Sequence, residues 1–288
     1  MAFSSFLTSA VNAGLRRVRR LALALGLGVA LAAPSAAPTA ASAALPQAIP
    51  QAIPRAAGPL SAPAAAAAAS VASRMAPRVL ACTTCHGKEG RSTPEGYFPR
   101  LAGKPAGYLA NQLLNFRDGR RSYPQMGYLL EHLSDDYLRE MAAHFAALDL
   151  PYAPPPAAQA PATVLERGRQ LVQHGDAARQ IPACVQCHGP SLTGVNPAIP
   201  GLLGLPRDYL NSQLGAWTTG QRRAQAPDCM AAIARQLAPE DVSAVSAWLA
   251  AQPVPGGGKP LAQAVGPMPV RCGGVDSLPV VGAAAPVR

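Results

Sequence analysis

No stretch of this 288-residue chain alternates apolar and polar side chains with period two over a strand's length, so the pattern argues for helices and against a sheet-built fold. The apolar run Leu21 to Ala32 is too short to span a bilayer comfortably. Despite a formal net charge of +10 there is no basic stripe with interleaved aromatics, which excludes a nucleic-acid interface. The charge is unevenly spread. Four of the cations (Arg16, Arg17, Arg19 and Arg20) sit at the N-terminus, residues 76–155 hold nine basic against eight acidic side chains, and residues 156–256 hold seven against six. Near-neutral faces of this kind suit weak, brief docking of a protein partner, with Lys104, Arg120 and Arg121 as local steering charges.

Residues 1–43 read as an export signal: an arginine-rich start without acids, the apolar run, and Ala41-Ser42-Ala43 as a cleavage site, with retention as a membrane anchor the alternative. Residues 44–75 are rich in Ala and Pro with too little to bury, a linker by composition. Residues 257–288 read as a flexible tail in which Cys272 alone stands out chemically.

Between these ends five residues occur twice, Cys82-Thr83-Thr84-Cys85-His86 and Cys184-Val185-Gln186-Cys187-His188. On a helix, positions i, i+3 and i+4 share one face, so two thiols and an imidazole can reach one flat cofactor. C-x-x-C-H is the attachment signature of c-type haem: the thiols form thioethers and the histidine becomes an iron ligand. One copy could be half of a zinc site or a redox dithiol. Two copies, each followed by Gly (Gly87, Gly189) and the same downstream pattern, favour two covalently held haems. Pro99-x-Leu101-x-Gly103 returns as Pro200-x-Leu202-x-Gly204, and Tyr108-Leu109-x-x-x-Leu113-x-x-Phe116-x-x-Gly119 as Tyr209-Leu210-x-x-x-Leu214-x-x-Trp217-x-x-Gly220. The repeat divides the chain into two all-α domains, 76–155 and 156–256. Each is near the lower size limit for independent folding, so a covalent cofactor would supply much of its core.

Helical spacing places Tyr108, Leu109, Gln112, Leu113 and Phe116 on one helix that Gly119 ends. Ser134 is positioned to cap the next, whose apolar stripe is Leu138, Met141, Ala142, Phe145 and Leu148. Pro239, Glu240 and Asp241 open a helix with Val242, Val245 and Leu249 inward, and residues 162–174 form the first helix of the second copy. Its counterpart in the first copy is expected to be less regular, because Pro77 interrupts it five residues before Cys82.

Met126 lies 40 residues after His86, and Met230 lies 42 after His188. A thioether opposite an imidazole closes the iron to substrate and suits electron transfer. The alternative for each Met is a soft core filler, as Met141 is on its stripe, whereas Met126 reads as lying in a loop after Tyr123-Pro124-Gln125 and Met230 in an extended loop beside Cys229. His132, His144 and His174 read as solvated, helix-face or helix-end residues. Cys229 and Cys272 remain, an even number that most simply pairs in an oxidising compartment. The alternative is a Cys229 thiolate on iron in place of Met230. A di-haem peroxidase or other haem enzyme needs a distal acid–base group, and neither copy shows one in the right block.

The run from Ala81 to Leu148, with C-x-x-C-H-G, P-x-L-x-G, Y-L-x-x-Q-L-x-x-F-x-x-G-x-R and a downstream Met, resembles a cytochrome c domain, and its repetition over 164–250 resembles the di-haem cytochrome c4 family. The resemblance implies two tandem class I cytochrome c folds, two haem c groups with His/Met iron, and a periplasmic location. The carbonyls of Pro99 and Pro200 would accept the proximal imidazole N–H. Implied partners are redox proteins such as a terminal oxidase, a quinol-oxidising complex or a dehydrogenase, and weak association with a membrane surface stays open. A haem subunit of a dehydrogenase complex, or a di-haem enzyme of the peroxidase or thiosulfate dehydrogenase type, are the alternatives.

Overall fold

A computed structural model describes residues 74–93 and 95–276. The export signal, the linker before Arg74 and the last part of the tail lie outside the described residues.

The first repeat contains α1 (Leu80–His86), α2 (Ala106–Arg117), α3 (Pro124–Leu130) and α4 (Asp135–Ala146). The second contains α5 (Ala162–His174), α6 (Cys184–His188), α7 (Arg207–Thr219), α8 (Cys229–Ala234) and α9 (Pro239–Ala250), and a last turn, α10, covers Gly273–Asp276. Helices dominate, as the periodicity predicts. One two-residue ladder interrupts them, β1 (Gly194–Val195) antiparallel to β2 (Ile199–Pro200).

Pro77 leaves the approach to the first haem motif irregular, as expected: helical Arg74 and Met75 give way to a 3-10 stretch, Ala76–Val79, which runs into α1. Met75 and Val79 on either side are buried with Leu109, Leu130, Leu138, Met141 and Phe145. The first core therefore includes Met75, one residue before the expected boundary. In α4 the Ser134 hydroxyl accepts the Tyr137 N–H at 3.3 Å, and Asp135 and Asp136 occupy the first turn, where the helix dipole favours anions.

In the second repeat α5 packs across α9, and α7 covers another side of it. A Cβ on Gly168 would lie 2.2 Å from the Ala244 carbonyl oxygen, so only glycine permits this crossing. Covered on two sides, α9 buries Ala244, Val245, Ser246, Ala247, Leu249 and Ala250, whereas Val242, expected inward, is only half-buried. Asp241 does more than start that helix. It is buried, accepts from Arg167 at 2.9 Å and from Arg179 at 2.7 Å, and so ties α5 and the turn after it to α9. Burial alone would raise its carboxyl, but these two guanidinium groups and the Ala238 N–H together hold it below the ordinary range.

Residues 257–276 depart from the expected flexible tail. The Leu261 N–H donates to Gly194 O at 2.9 Å and its carbonyl accepts from Asn196 N at 2.8 Å, adding a short third edge to the ladder. Further on, Gly274 O accepts from the Asn111 side chain of the first repeat at 2.7 Å. Composition alone missed this because a Pro- and Gly-rich segment can be held by backbone hydrogen bonds and a few anchors without a core of its own.

Candidate functional site

Each C-x-x-C-H run is a short helix, α1 or α6, and each ends on a buried histidine. The Nδ1–H of His86 donates to Pro99 O at 2.9 Å, and that of His188 donates to Pro200 O at 2.7 Å. A carbonyl can only accept, so Nδ1 carries the proton and each Nε2 keeps a free lone pair. Burial moves both imidazoles below their ordinary range, helped by Arg121 near His86 and by Lys104 near His188, which keeps them neutral. A neutral ring fixed through Nδ1 is the form that binds a metal through Nε2.

Cys82, Cys85, Cys184 and Cys187 are all unpaired. Burial pushes up the thiols of Cys82 and Cys187, and pushes Cys184 up to about 12 with Cys187 adding to the effect. Such thiols are poor thiolates, the wrong poise for a redox dithiol. Among the described residues no three His, Cys, Asp or Glu side chains gather as a metal-ion site would need, so the thiols and imidazole do not converge on one point like zinc ligands. Spread over one helix face, with a fixed neutral imidazole, the donor set fits a flat, thioether-linked haem.

The two methionines occupy matched places. Met126 is the third residue of α3 and Met230 the second of α8, each in a first helical turn rather than in the extended loop expected. The Tyr123 ring, just before α3, lies 6.4 Å from that of Tyr97 and close enough to Cys85 to feel its charge. Tyr97 in turn packs edge-on against Phe98, and Phe98 against His86. The start of α3 therefore faces the first haem motif. At α8 the Asp228 carboxylate accepts the Ala231 N–H at 3.0 Å and the Ala224 N–H at 2.7 Å, which anchors the longer approach to Met230.

Cys229, beside Met230, is bonded to Cys272. With its sulfur in a disulfide it has no thiolate to offer iron. The bond closes a loop spanning 43 residues, and by the chain-entropy model it contributes up to about 4 kcal/mol. Cys272→Ala is accordingly expected to lower the stability measured in chemical denaturation by up to that amount and to open residues 257–276 to limited proteolysis. An unchanged cleavage pattern would mean that the backbone bonds of Leu261 and Gly274 hold the segment unaided.

Sequence reasoning missed the seam between the repeats. Arg121 and Arg222 face each other across an antiparallel backbone bridge, flanked by Ser122 N–H to Gln221 O at 2.8 Å and Arg223 N–H to Arg120 O at 2.7 Å. The Arg121 guanidinium donates to Gln112 and Tyr209, and that of Arg222 to Gln213, Gln112 and Tyr108. Each also stacks on its own repeat's aromatic ring, Arg121 4.4 Å from Phe116 and Arg222 3.8 Å from Trp217. Burial, then the neighbouring Arg121, lowers the Arg222 guanidinium. The signal was present in G-x-R, which occurs in both copies.

Lys104 and Arg121 are 5% and 8% exposed, so neither is the steering charge expected of it. Both are buried because the second repeat packs over them. Arg120 is half-buried and paired with Asp118 at 2.8 Å. His144, read as solvated or helix-face, lies on the buried face of α4 beside Phe145, while His132 and His174 are exposed.

The cytochrome c family model matches residues 165–252. The chain is similar to the thiosulfate dehydrogenase electron acceptor of Stutzerimonas stutzeri, 41% identical over 60% of this chain and 80% of that one. It is also similar to cytochrome c4 of Pseudomonas aeruginosa, 33% identical over 60% of this chain and 84% of that one. The solved structure of reduced recombinant cytochrome c4 from Pseudomonas stutzeri superposes with a TM-score of 0.53 at 28% identity, covering 63% of this chain and 96% of the other. These relatives and the repeated fold identify two covalently bound haem c groups and an electron-transfer role, and the chain belongs to the di-haem cytochrome c4 family.

Proposed function

We propose that this chain is an exported, periplasmic one-electron carrier in which Cys82 and Cys85 attach one haem and Cys184 and Cys187 the other. In this reading His86 and Met126 ligate the first iron, and His188 and Met230 the second. Bound haems supply the one-electron chemistry. The residues position and insulate it. Pro99 and Pro200 hold the imidazoles by their N–H groups, the methionines occupy the remaining iron position, and the Arg121–Arg222 seam keeps the two repeats in fixed register for passage of an electron. The observation that carries the reading is the matched pair of histidine-to-proline-carbonyl bonds, each with a methionine at the start of the corresponding helix.

The leader supports export, and among the described residues no helix is long and apolar enough to cross a membrane. A dehydrogenase that oxidises thiosulfate is the electron donor we favour, because relatives at 36% and 41% identity bear the name of its electron acceptor. With both irons closed by methionine, the chain itself has no coordination position for thiosulfate or peroxide. The test mixes oxidised holoprotein with thiosulfate, with and without a thiosulfate dehydrogenase. Reduction of the haem absorption bands should require the enzyme. Saturable turnover of thiosulfate or hydrogen peroxide by the chain alone would overturn the carrier reading, and no reduction in the complete mixture would overturn the choice of donor.

A further inference from the structure

We propose that Lys104, a residue of the first repeat, raises the reduction potential of the second haem by placing a buried positive charge against that haem's proximal wall. The proposal rests on the assignment of His188 as an iron ligand. Lys104 Nζ donates to Gly201 O at 3.0 Å. Gly201 follows Pro200, whose carbonyl holds the His188 Nδ1–H at 2.7 Å, so the ammonium stands one peptide from the contact that orients the imidazole. The wall it touches is rigid: a Cβ on Gly201 would lie 2.5 Å from Thr193 O, against β1.

Among the described residues no carboxylate lies within ion-pair reach of Lys104, and the charged group that it feels is the cation Arg100. Burial and Arg100 push the ammonium down to about 8, which still leaves it protonated at neutral pH. An uncompensated buried cation disfavours the oxidised, more positive state of a nearby redox centre, and little solvent is present to screen it.

The arrangement is one-sided. The position matching Lys104 in the second repeat is Leu205, and the position matching Gly201 in the first is Arg100. Arg100 turns away to the segment after α4, donating to Leu150 O and Pro151 O and stacking 3.9 Å from the Tyr152 ring. The cation near His86 is instead Arg121 of its own repeat, which is hydrogen-bonded and stacked within the seam, so the two walls carry different cations and two sites built from one motif acquire different potentials.

The experiment is a spectroelectrochemical titration of full-length holoprotein and its Lys104→Met and Lys104→Gln variants at pH 7, with haem stoichiometry and far-UV circular dichroism recorded alongside. Gln keeps a donor for Gly201 O, so it carries the test should Met disturb folding. One of the two waves should move to lower potential in both variants, by about tenfold in the oxidised-to-reduced ratio at fixed ambient potential, ~59 mV for one electron. The other wave should stay. Unmoved waves, or an equal displacement of both, would overturn the proposal. Fewer than two haems in the parent protein would instead overturn the ligand assignment beneath it.

Discussion

A chain carrying both Cys184→Ser and Cys187→Ser is expected to lose one haem and, with it, the fold of the second repeat. Leu171, Val172, Leu192, Leu203, Leu210, Val245 and Leu249 form that repeat's buried cluster, and Cys184 and Val185 of α6 pack against it. Residues 156–256 make a small domain, and small domains have little apolar surface to spare, so a covalently held cofactor is a large part of what keeps such a core dry. Hydroxyls in place of the two thiols remove the thioether links while leaving His188 and its bond to Pro200 O in place. The first repeat has its own cluster around Met75, Leu138, Met141 and Phe145 and should keep its haem. Intact mass should fall by one haem group relative to the parent, and helical circular dichroism should drop in step. A mass still showing two haem groups would end the assignment of Cys184 and Cys187.

Met126→Ala and Met230→Ala are each expected to remove about half of the near-infrared sulfur-to-iron band and to lower one reduction potential by about 0.1 V or more, within the roughly 0.8 V that axial ligation controls. Met126 is partly buried against the first core and Met230 is half-buried in the first turn of α8, so each truncation also opens space at a helix start. The two effects separate in measurement. A core filler such as Met141, which is 5% exposed within α4, should upon truncation lower stability and leave the band intact. A Met126 variant that is merely less stable, with the full band, would place Met126 among the fillers.

Most of the candidate site was legible because its requirements are local. Two thiols and an imidazole at i, i+3 and i+4 need nothing beyond one helical turn, whereas the bond from each histidine to a proline carbonyl twelve or thirteen residues on was implied by the family resemblance and not by spacing. The methionines could be placed to within a helix but not in the right kind of segment. A loop ending in Tyr-Pro or Asp-Cys reads as irregular, although Pro124 and Asp228 in fact start helices.

By itself, then, the sequence determined the helical class and the doubled motif, both of which depend on spacing along a single segment. Only the tertiary structure decided which charges reach water. Lys104, Arg100, Arg121, Arg222 and Asp241 count as ordinary surface residues in any tally, yet all are buried, each by a segment remote in sequence. A side chain's exposure depends on what packs over it from elsewhere in the chain, and composition carries no record of that. The same reason placed residues 257–276 against both repeats: their anchors, Gly194, Asn111 and Cys229, lie 43 or more residues away from their partners Leu261, Gly274 and Cys272. Contacts that span such distances have no local pattern to announce them.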